Sequence, residues 1–229
     1  MSAQLTWLGH GSWLIETAGH KLLLDPFLDD SPTAPVRAAD VSAEFILVSH
    51  GHFDHVADVK KIAERTGAKL IANYEICEWF QQQGVKHVDP MNIGGATKQP
   101  FGRVKLTVAH HSSTMPDGAA GGDPGGFLLE LPGARIYFAC DTALFSDMKL
   151  IGAGGLDLAV LPIGDRYTMG PDDAIVAIDL LQPKRVAPAH YNTWPPIAQD
   201  VHAWAHRVRI ETHAIPIVVE PGGKFSLDG

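Results

Sequence analysis

His50-Gly51-His52-Phe53-Asp54-His55 places four potential metal ligands within six residues. The stretch before it, Phe-Ile-Leu-Val-Ser at 45–49, is an apolar run of the kind found in a strand covered on both faces. The stretch after it has helical spacing over 56–66, with Val56, Val59, Ile62 and Ala63 on one face. The string therefore reads as the turn from a central strand into a helix. His50 and His52 alternate and project to one side of an extended segment, while Asp54 and His55 follow on the turn. Such a string can serve two adjacent ions, with His50 and His52 on one and Asp54 and His55 on the other. Neither ion is then complete, because a zinc-type site takes three or four protein ligands and a catalytic one keeps a position open.

Further along, three more strands run into residues that bind metal: 104–109 into His110 and His111, 136–139 into Asp141 and 185–189 into His190. Rigid strands hold ligands better than loops do. His110 or His111 can complete the first set and His190 the second. A carboxylate has two oxygens, so Asp141 can bridge. Five histidines and two aspartates make a good inventory for a two-metal hydrolytic centre. Nitrogen and oxygen ligands without thiolate suit two divalent ions, Zn foremost, with Mn, Fe or Ni as alternatives.

The rest of the chain supplies sheets to carry these ends. Residues 5–8, 12–16 and 21–24 are short β-type runs at hairpin-length spacings, and 29–40 is a loop rich in Pro and Asp. A strand at 69–72 and a helix at 75–83 follow. Strands are expected at 127–131, 157–163 and 215–219, and helices at 172–181, after Pro171, and 198–209. This order predicts two mixed sheets face to face with helices outside, an α/β protein forming one domain over 1–229 with two halves of similar style. The glycine-rich segment 118–126 reads as a mobile loop able to cover a pocket entrance.

Composition excludes several classes. At 229 residues with 45% hydrophobic and 19% charged residues the chain can bury a large core, so neither disorder nor a coiled coil fits. The formal charge of -8 argues against nucleic acid as partner or substrate. Cys77 and Cys140 form no CxxC pair, which removes a thiolate zinc site and favours a reducing compartment. The opening residues carry no signal-peptide pattern and no apolar run approaches the ~18 residues of a membrane span, so a cytoplasmic protein without a membrane partner is expected. The Trp and Phe residues suit the core, and a homo-oligomeric contact is compatible with them.

The motif resembles the signature of the metallo-β-lactamase fold superfamily. Trp7-Leu-Gly-His10-Gly-Ser-Trp13, His111-Ser-Ser113, Tyr137-Phe-Ala-Cys-Asp141-Thr, Leu161-Pro-Ile-Gly-Asp165, Tyr167-Thr-Met-Gly-Pro171 and Pro188-Ala-His190-Tyr-Asn-Thr-Trp-Pro195 look like its UPF0173 branch of metal-dependent hydrolases, related to ascorbate-phosphate lactonase. The resemblance implies a four-layer αββα sandwich with the metals at one edge of the two sheets. It implies the ligands His50, His52, Asp54, His55, His111, Asp141 and His190, with His111 as third ligand of the first metal. Two positions depart from the family: Cys140 stands where Gly is usual before the bridging Asp, and Ala189 where Met is usual before the last His.

The expected reaction is hydroxide attack, at a centre of two ions, on an ester, lactone or phosphodiester bond of a small molecule. Asp54 and Asp141 would orient the ions and take up a proton, and His10 would contact substrate or leaving group. Asp165, Arg166, Tyr191, Asn192 and Trp194 are the expected substrate-binding residues. Two rival readings are a non-catalytic metal-binding protein and a redox diiron protein of the same fold. The diiron branch would be expected to have a Glu in the first motif and an added flavin domain, and neither is present.

Overall fold

The computed structural model describes residues 3–227. The chain opens with a meander of β1 (Ala3–Trp7), β2 (Trp13–Thr17) and β3 (His20–Leu24), then adds β4 (Phe45–Leu47), α1 (Phe53–Val56), α2 (Val59–Thr66), β5 (Lys69–Asn73), α3 (Tyr74–Gln82) and β6 (Val88–Met91). A second series follows: β7 (Ala96–Gln99), β8 (Gly102–Val108), β9 (Gly125–Leu131), β10 (Ala134–Phe138), α4 (Met148–Gly152), β11 (Leu158–Pro162), α5 (Pro171–Leu181) and β12 (Arg185–Ala189). A short turn of tighter helix at Pro195–Ile197 leads to α6 (Val201–Glu211), β13 (Ile215–Pro216) and β14 (Lys224–Leu227).

Two seven-stranded sheets result, ordered β14-β1-β2-β3-β4-β5-β6 and β13-β12-β11-β10-β9-β8-β7. In each, an antiparallel run passes into a parallel one, at β3–β4 in the first sheet and at β10–β11 in the second. The parallel strands need crossovers, and helices supply most of them. The pleat then sorts the side chains by alternation. Leu22, Leu24, Phe45 and Leu47 join Phe127 and Phe138 in the core between the sheets, and the same cluster continues through the second sheet to Ile178 of α5 and Trp204 of α6. Leu23, Ile46 and Leu70 point the other way, onto Ile62 of α2 and Ile76 and Phe80 of α3. Helices, sheet, sheet and helices form the four expected layers. Among the described residues no helix is long and apolar enough to cross a membrane.

The elements differ from expectation where local polar contacts override periodicity. The helix expected at 56–66 is two helices. Asp58 breaks it, its backbone N–H donating to the Pro26 carbonyl at 3.1 Å and its carboxylate accepting from the Leu28 and Asp29 N–H groups at 2.6 and 3.0 Å. The helix expected from 198 begins at Val201, because the Asp200 carboxylate caps the His202 and Ala203 N–H groups. The strand expected at 215–219 is only Ile215–Pro216. Strands β6, β7 and β14 and helix α4 were not expected.

The segment 118–126 is not a free flap. Met115 N–H donates to Ala119 O and Gly121 N–H to Ser113 O, the Asn73 side chain donates to Gly121 O and Asp123 O, and Gly125 and Gly126 belong to β9. The part of this connection that reaches the pocket is Ser112, Thr114 and Pro116.

Candidate metal centre

The centre sits where strands of both sheets end. Asp25 follows β3, and its N–H donates to Leu47 O at 2.9 Å, locking that end to β4. Its Oδ1 accepts from Ser49 N–H at 2.8 Å, and its Oδ2 accepts from Ser49 Oγ at 2.6 Å and from His55 Nδ1 at 2.9 Å. Ser49 Oγ, having given its proton to Asp25, accepts from His50 Nδ1 at 2.9 Å. One buried carboxylate thereby engages the Nδ1 side of both His50 and His55, so that Nε2 of each faces the centre and, in the neutral ring, offers its lone pair there. At the rim, His52 Nε2 lies 3.3 Å from Ser112 Oγ; with Ser112 as acceptor there, the His52 lone pair falls on Nδ1, toward His50.

These lone pairs converge. His50 Nε2 and His52 Nδ1 stand 3.0 Å apart, and with a His111 nitrogen they form a set whose members all lie within 4.8 Å. Asp54, His55, His190 and His10 form a second set within the same limit. Asp141 Oδ2 lies between the two sets, 3.9 Å from His50 Nε2, 3.6 Å from His111 Nε2, 3.4 Å from His55 Nε2 and 3.0 Å from His190 Nε2. His110 turns away, its ring against Phe145 at 4.9 Å.

The arrangement fits metal. Nitrogens each about 2.0–2.1 Å from a tetrahedral zinc stand about 3.3–3.4 Å apart, which falls within the separations seen here. Facing lone pairs repel unless a cation lies between them, and the buried His55 Nε2 has no hydrogen-bond partner. The charges show the same demand. Burial pushes the His50 imidazole well below its ordinary pKa, and neighbouring His55 adds to this. Burial acts the same way on His55, yet the carboxylates of Asp141, Asp54 and Asp25 outweigh it and hold its pKa well above the ordinary value. Asp141 is buried and Asp54 partly so, which opposes ionisation, but the surrounding imidazoles keep both carboxyls below the usual range.

His10, expected to contact substrate or leaving group, is fully buried behind Asp54 and is not among the residues that line the pocket. Burial lowers its pKa to about 4, so the ring is neutral. Its Nε2 donates to Asp54 Oδ2 at 2.9 Å, and its Nδ1 accepts from Thr193 Oγ1 at 2.7 Å. It steadies Asp54 from behind.

In front of the centre lies an open pocket of about 710 Å³. Its floor includes His52, Asp54, His111, Asp141 and His190, and its walls are Phe53, Ser112, Thr114, Pro116, Tyr167 and Trp194. Of the expected substrate-binding residues only Trp194 lines it. Tyr191 is buried with its ring stacked on Trp7 at 5.1 Å. Asn192 has a left-handed backbone and accepts from Gln199 N–H at 2.7 Å, which makes it a turn residue. Asp165 also has a left-handed backbone, and its N–H and C=O close a turn with Met169 and Thr168. Arg166 places its guanidinium 5.7 Å from the centroid of Tyr167, so its neighbour, which was overlooked, is the residue that faces the pocket.

Comparison with known proteins accords with this geometry. Residues 20–191 match the family described as the beta-lactamase superfamily domain. The UPF0173 metal-dependent hydrolase of Thermus thermophilus is 46% identical over 228 residues, covering 98% of this chain and 99% of that protein. This chain belongs to the UPF0173 family. Another structure similar to this UPF0173 protein is Igni18, a metallo hydrolase from Ignicoccus hospitalis, with a TM-score of 0.91 and 33% identity over 100% of both chains. CmlA, a diiron beta-hydroxylase from Streptomyces venezuelae, shares the fold at a TM-score of 0.74 and 15% identity, over 99% of this chain and 54% of that one. The departure at Cys140 gains a physical reading in this UPF0173 chain. Its φ is +53°, a conformation that glycine adopts freely and other residues adopt at a cost.

Proposed function

We propose that this metal-dependent hydrolase is dinuclear and cleaves an ester, lactone or phosphodiester bond of a small molecule. The observation that carries the reading is the shared oxygen: Asp141 Oδ2 lies within 3.9 Å of nitrogens from both ligand sets, on the floor of an open pocket. His50, His52 and His111 would hold one ion, Asp54, His55 and His190 the other, and Asp141 would touch both. Divalent ions in such a site act as Lewis acids and lower the pKa of water to about 7.

The chain's own residues keep the site ready. Asp25 and Ser49 hold His50 and His55 in the tautomer that faces the centre. Ser112 does the same for His52. Neutral His10 keeps its proton at Nε2 against Asp54 Oδ2, which fixes that carboxylate without neutralising it. Such supporting hydrogen bonds typically matter by about 10–100-fold in metal affinity or activity. The donor set favours Zn, with Mn, Fe and Ni as alternatives. The pocket volume lies in the range of about 300–1,000 Å³ usual for small-molecule sites, and among the described residues no Lys or Arg lines it to track a nucleic-acid backbone.

Elemental mass spectrometry on protein purified without added metal tests this first. About two equivalents per chain are expected, with chelator-sensitive turnover of nitrophenyl esters or phosphodiesters. Well under one equivalent, with none regained on reconstitution, would sink the dinuclear reading. Two equivalents with no turnover of any ester would return the protein to the metal-binding reading.

A further inference from the structure

The walls of the pocket differ in kind from its floor. The floor is imidazole and carboxylate, whereas the walls present three aromatic rings and a proline. Phe53 is 53% exposed and Tyr167 is 55% exposed, although both are large and apolar or nearly so. Trp194 is half-buried, its ring centroid 6.2 Å from that of Phe53 at an interplanar angle of 39°. Buried Phe27 backs both, 5.6 Å from Phe53 and 5.8 Å from Trp194, and buried His10 meets Trp194 edge-on at 5.0 Å. The exposed rings are therefore held on a rigid base. They form a preformed apolar wall beside the polar centre, the arrangement by which small-molecule sites gain affinity and orientation.

Charge points the same way. A phosphodiester carries a permanent negative charge, which ions at the centre would themselves meet, but Arg and Lys are the side chains that add recognition of phosphate oxygens away from such ions. Among the described residues no Lys or Arg lines this pocket. Arg166 is the nearest in sequence, and it stacks beside Tyr167 without entering the lining. The polar wall groups are the neutral hydroxyls of Ser112 and Thr114.

We propose that the substrate is an uncharged carboxylic ester or lactone bearing a flat apolar group, seated on the Phe53–Trp194 wall and flanked by Tyr167 and Pro116, with the acyl carbon over Asp141. The proposal rests on the hydrolase reading above. In the reaction a bond forms between the oxygen of water and the acyl carbon, and the bond from that carbon to the alcohol oxygen breaks. The alcohol oxygen takes one proton, and the carboxylate product leaves with the release of the other.

The test compares dihydrocoumarin, a lactone fused to an aromatic ring, with δ-valerolactone and with bis-nitrophenyl phosphate on metal-replete protein. Each kcat/KM is divided by the probe's rate with free hydroxide, to remove intrinsic reactivity. Dihydrocoumarin is expected to exceed δ-valerolactone by about ten-fold or more, since one apolar group in a fitted pocket is worth about 10–200-fold. Trp194→Ala and Phe53→Ala should each collapse that ratio toward unity. A binding arm needs no turnover: the lactam counterparts of the two lactones are titrated by ligand-observed NMR, and the aromatic lactam should bind more tightly in wild type and lose that advantage in Trp194→Ala.

Equal use of the two lactones, a ratio unmoved by either variant, or chelator-sensitive preference for the phosphodiester would overturn the proposal while leaving the hydrolase reading intact. No chelator-sensitive turnover of any probe would instead defeat the hydrolase reading. The lactam titration would then still decide the wall, with equal binding counting against it.

Discussion

Asp25 binds no ion in the proposed centre, yet it determines which nitrogen two of the histidines offer. Replacing it with Asn keeps the shape and exchanges one acceptor oxygen for an N–H donor. At the Oδ1 position that donor would face the Ser49 N–H, and at the Oδ2 position both Ser49 Oγ and His55 Nδ1, all of which need an acceptor. Asp25→Asn is expected to weaken metal retention by about 10–100-fold, measured as ion content after dialysis against a graded chelator. Retention equal to wild type would show that the tautomers are set some other way. His10 works on Asp54 from the opposite side. His10→Ala should lower ion content from two equivalents toward one, because only the second set loses its support, and a uniform loss of both ions would contradict that division. Cys140 illustrates strain at the same edge. A left-handed non-glycine residue costs about 1–2 kcal/mol, and glycine's extra freedom in the unfolded chain offsets about 0.4–1 kcal/mol of that. Cys140→Gly should therefore change stability by no more than about 1 kcal/mol in urea unfolding. A larger loss would mean that the Sγ atom is packed more tightly than its partial exposure suggests.

At the scale of elements, the legible features were those with strong local signals. A buried strand running into a ligand was readable four times over, after β4, β8, β10 and β12, whereas β3 runs into Asp25, which positions two ligands without being one. Asp25 was missed because a lone Asp before Pro26 also opens an ordinary turn. Edge strands β6 and β7 were missed because they are short and half-exposed, and β6 contains Asp89 and Pro90. Their pairing comes from the neighbouring strand and not from their own pattern. The pocket walls were misread for a related reason. Proximity in sequence to His190 and Asp165 pointed to Tyr191, Asn192 and Arg166, but left-handed turns at His190, Asn192 and Asp165 redirect the chain at each residue. Gly51 joins the motif to the wall. A Cβ there would meet Met115 Sδ at 2.6 Å and the Thr114–Met115 backbone at 3.1–3.2 Å. Gly51→Ala should displace the Thr114–Pro116 segment, destabilise the protein by about 1–3 kcal/mol and raise KM more than it lowers kcat. Unchanged urea unfolding together with unchanged KM would show that this segment yields without consequence.

At the scale of the whole molecule, the two sheets meet at the centre. His50, His52, Asp54 and His55 come from the first sheet and the turn that leaves it, whereas His111, Asp141 and His190 come from the second. Direct contact already joins the sheets there, since His190 N–H donates to His10 O at 3.1 Å and Gly125 N–H to Ser49 O at 3.0 Å. Ions bound between the sets would add a cross-link at one edge of a sandwich whose interior contacts are largely apolar, with polar pairs such as Gln99–Asp89 at the far edge. A ligand that binds only the folded state stabilises it by about 2.7 kcal/mol at a hundred times its dissociation constant and about 4.1 at a thousand times. Removing the ions should cost a similar amount and lower the melting temperature. The loss should also be local to the shared edge. Without cations, the facing lone pairs of His50 and His52 repel, and Asp141 keeps only its imidazole partners. Amide exchange should therefore rise on chelation at residues 49–52, 110–112, 140–142 and 190–192, in both sheets together, while α2 and α3 on the outer face of the first sheet exchange as before. Hydrogen–deuterium exchange with and without chelator reads this directly. A rise confined to one sheet would mean that the ions do not span the two, and the bridging position assigned to Asp141 would have to be given up.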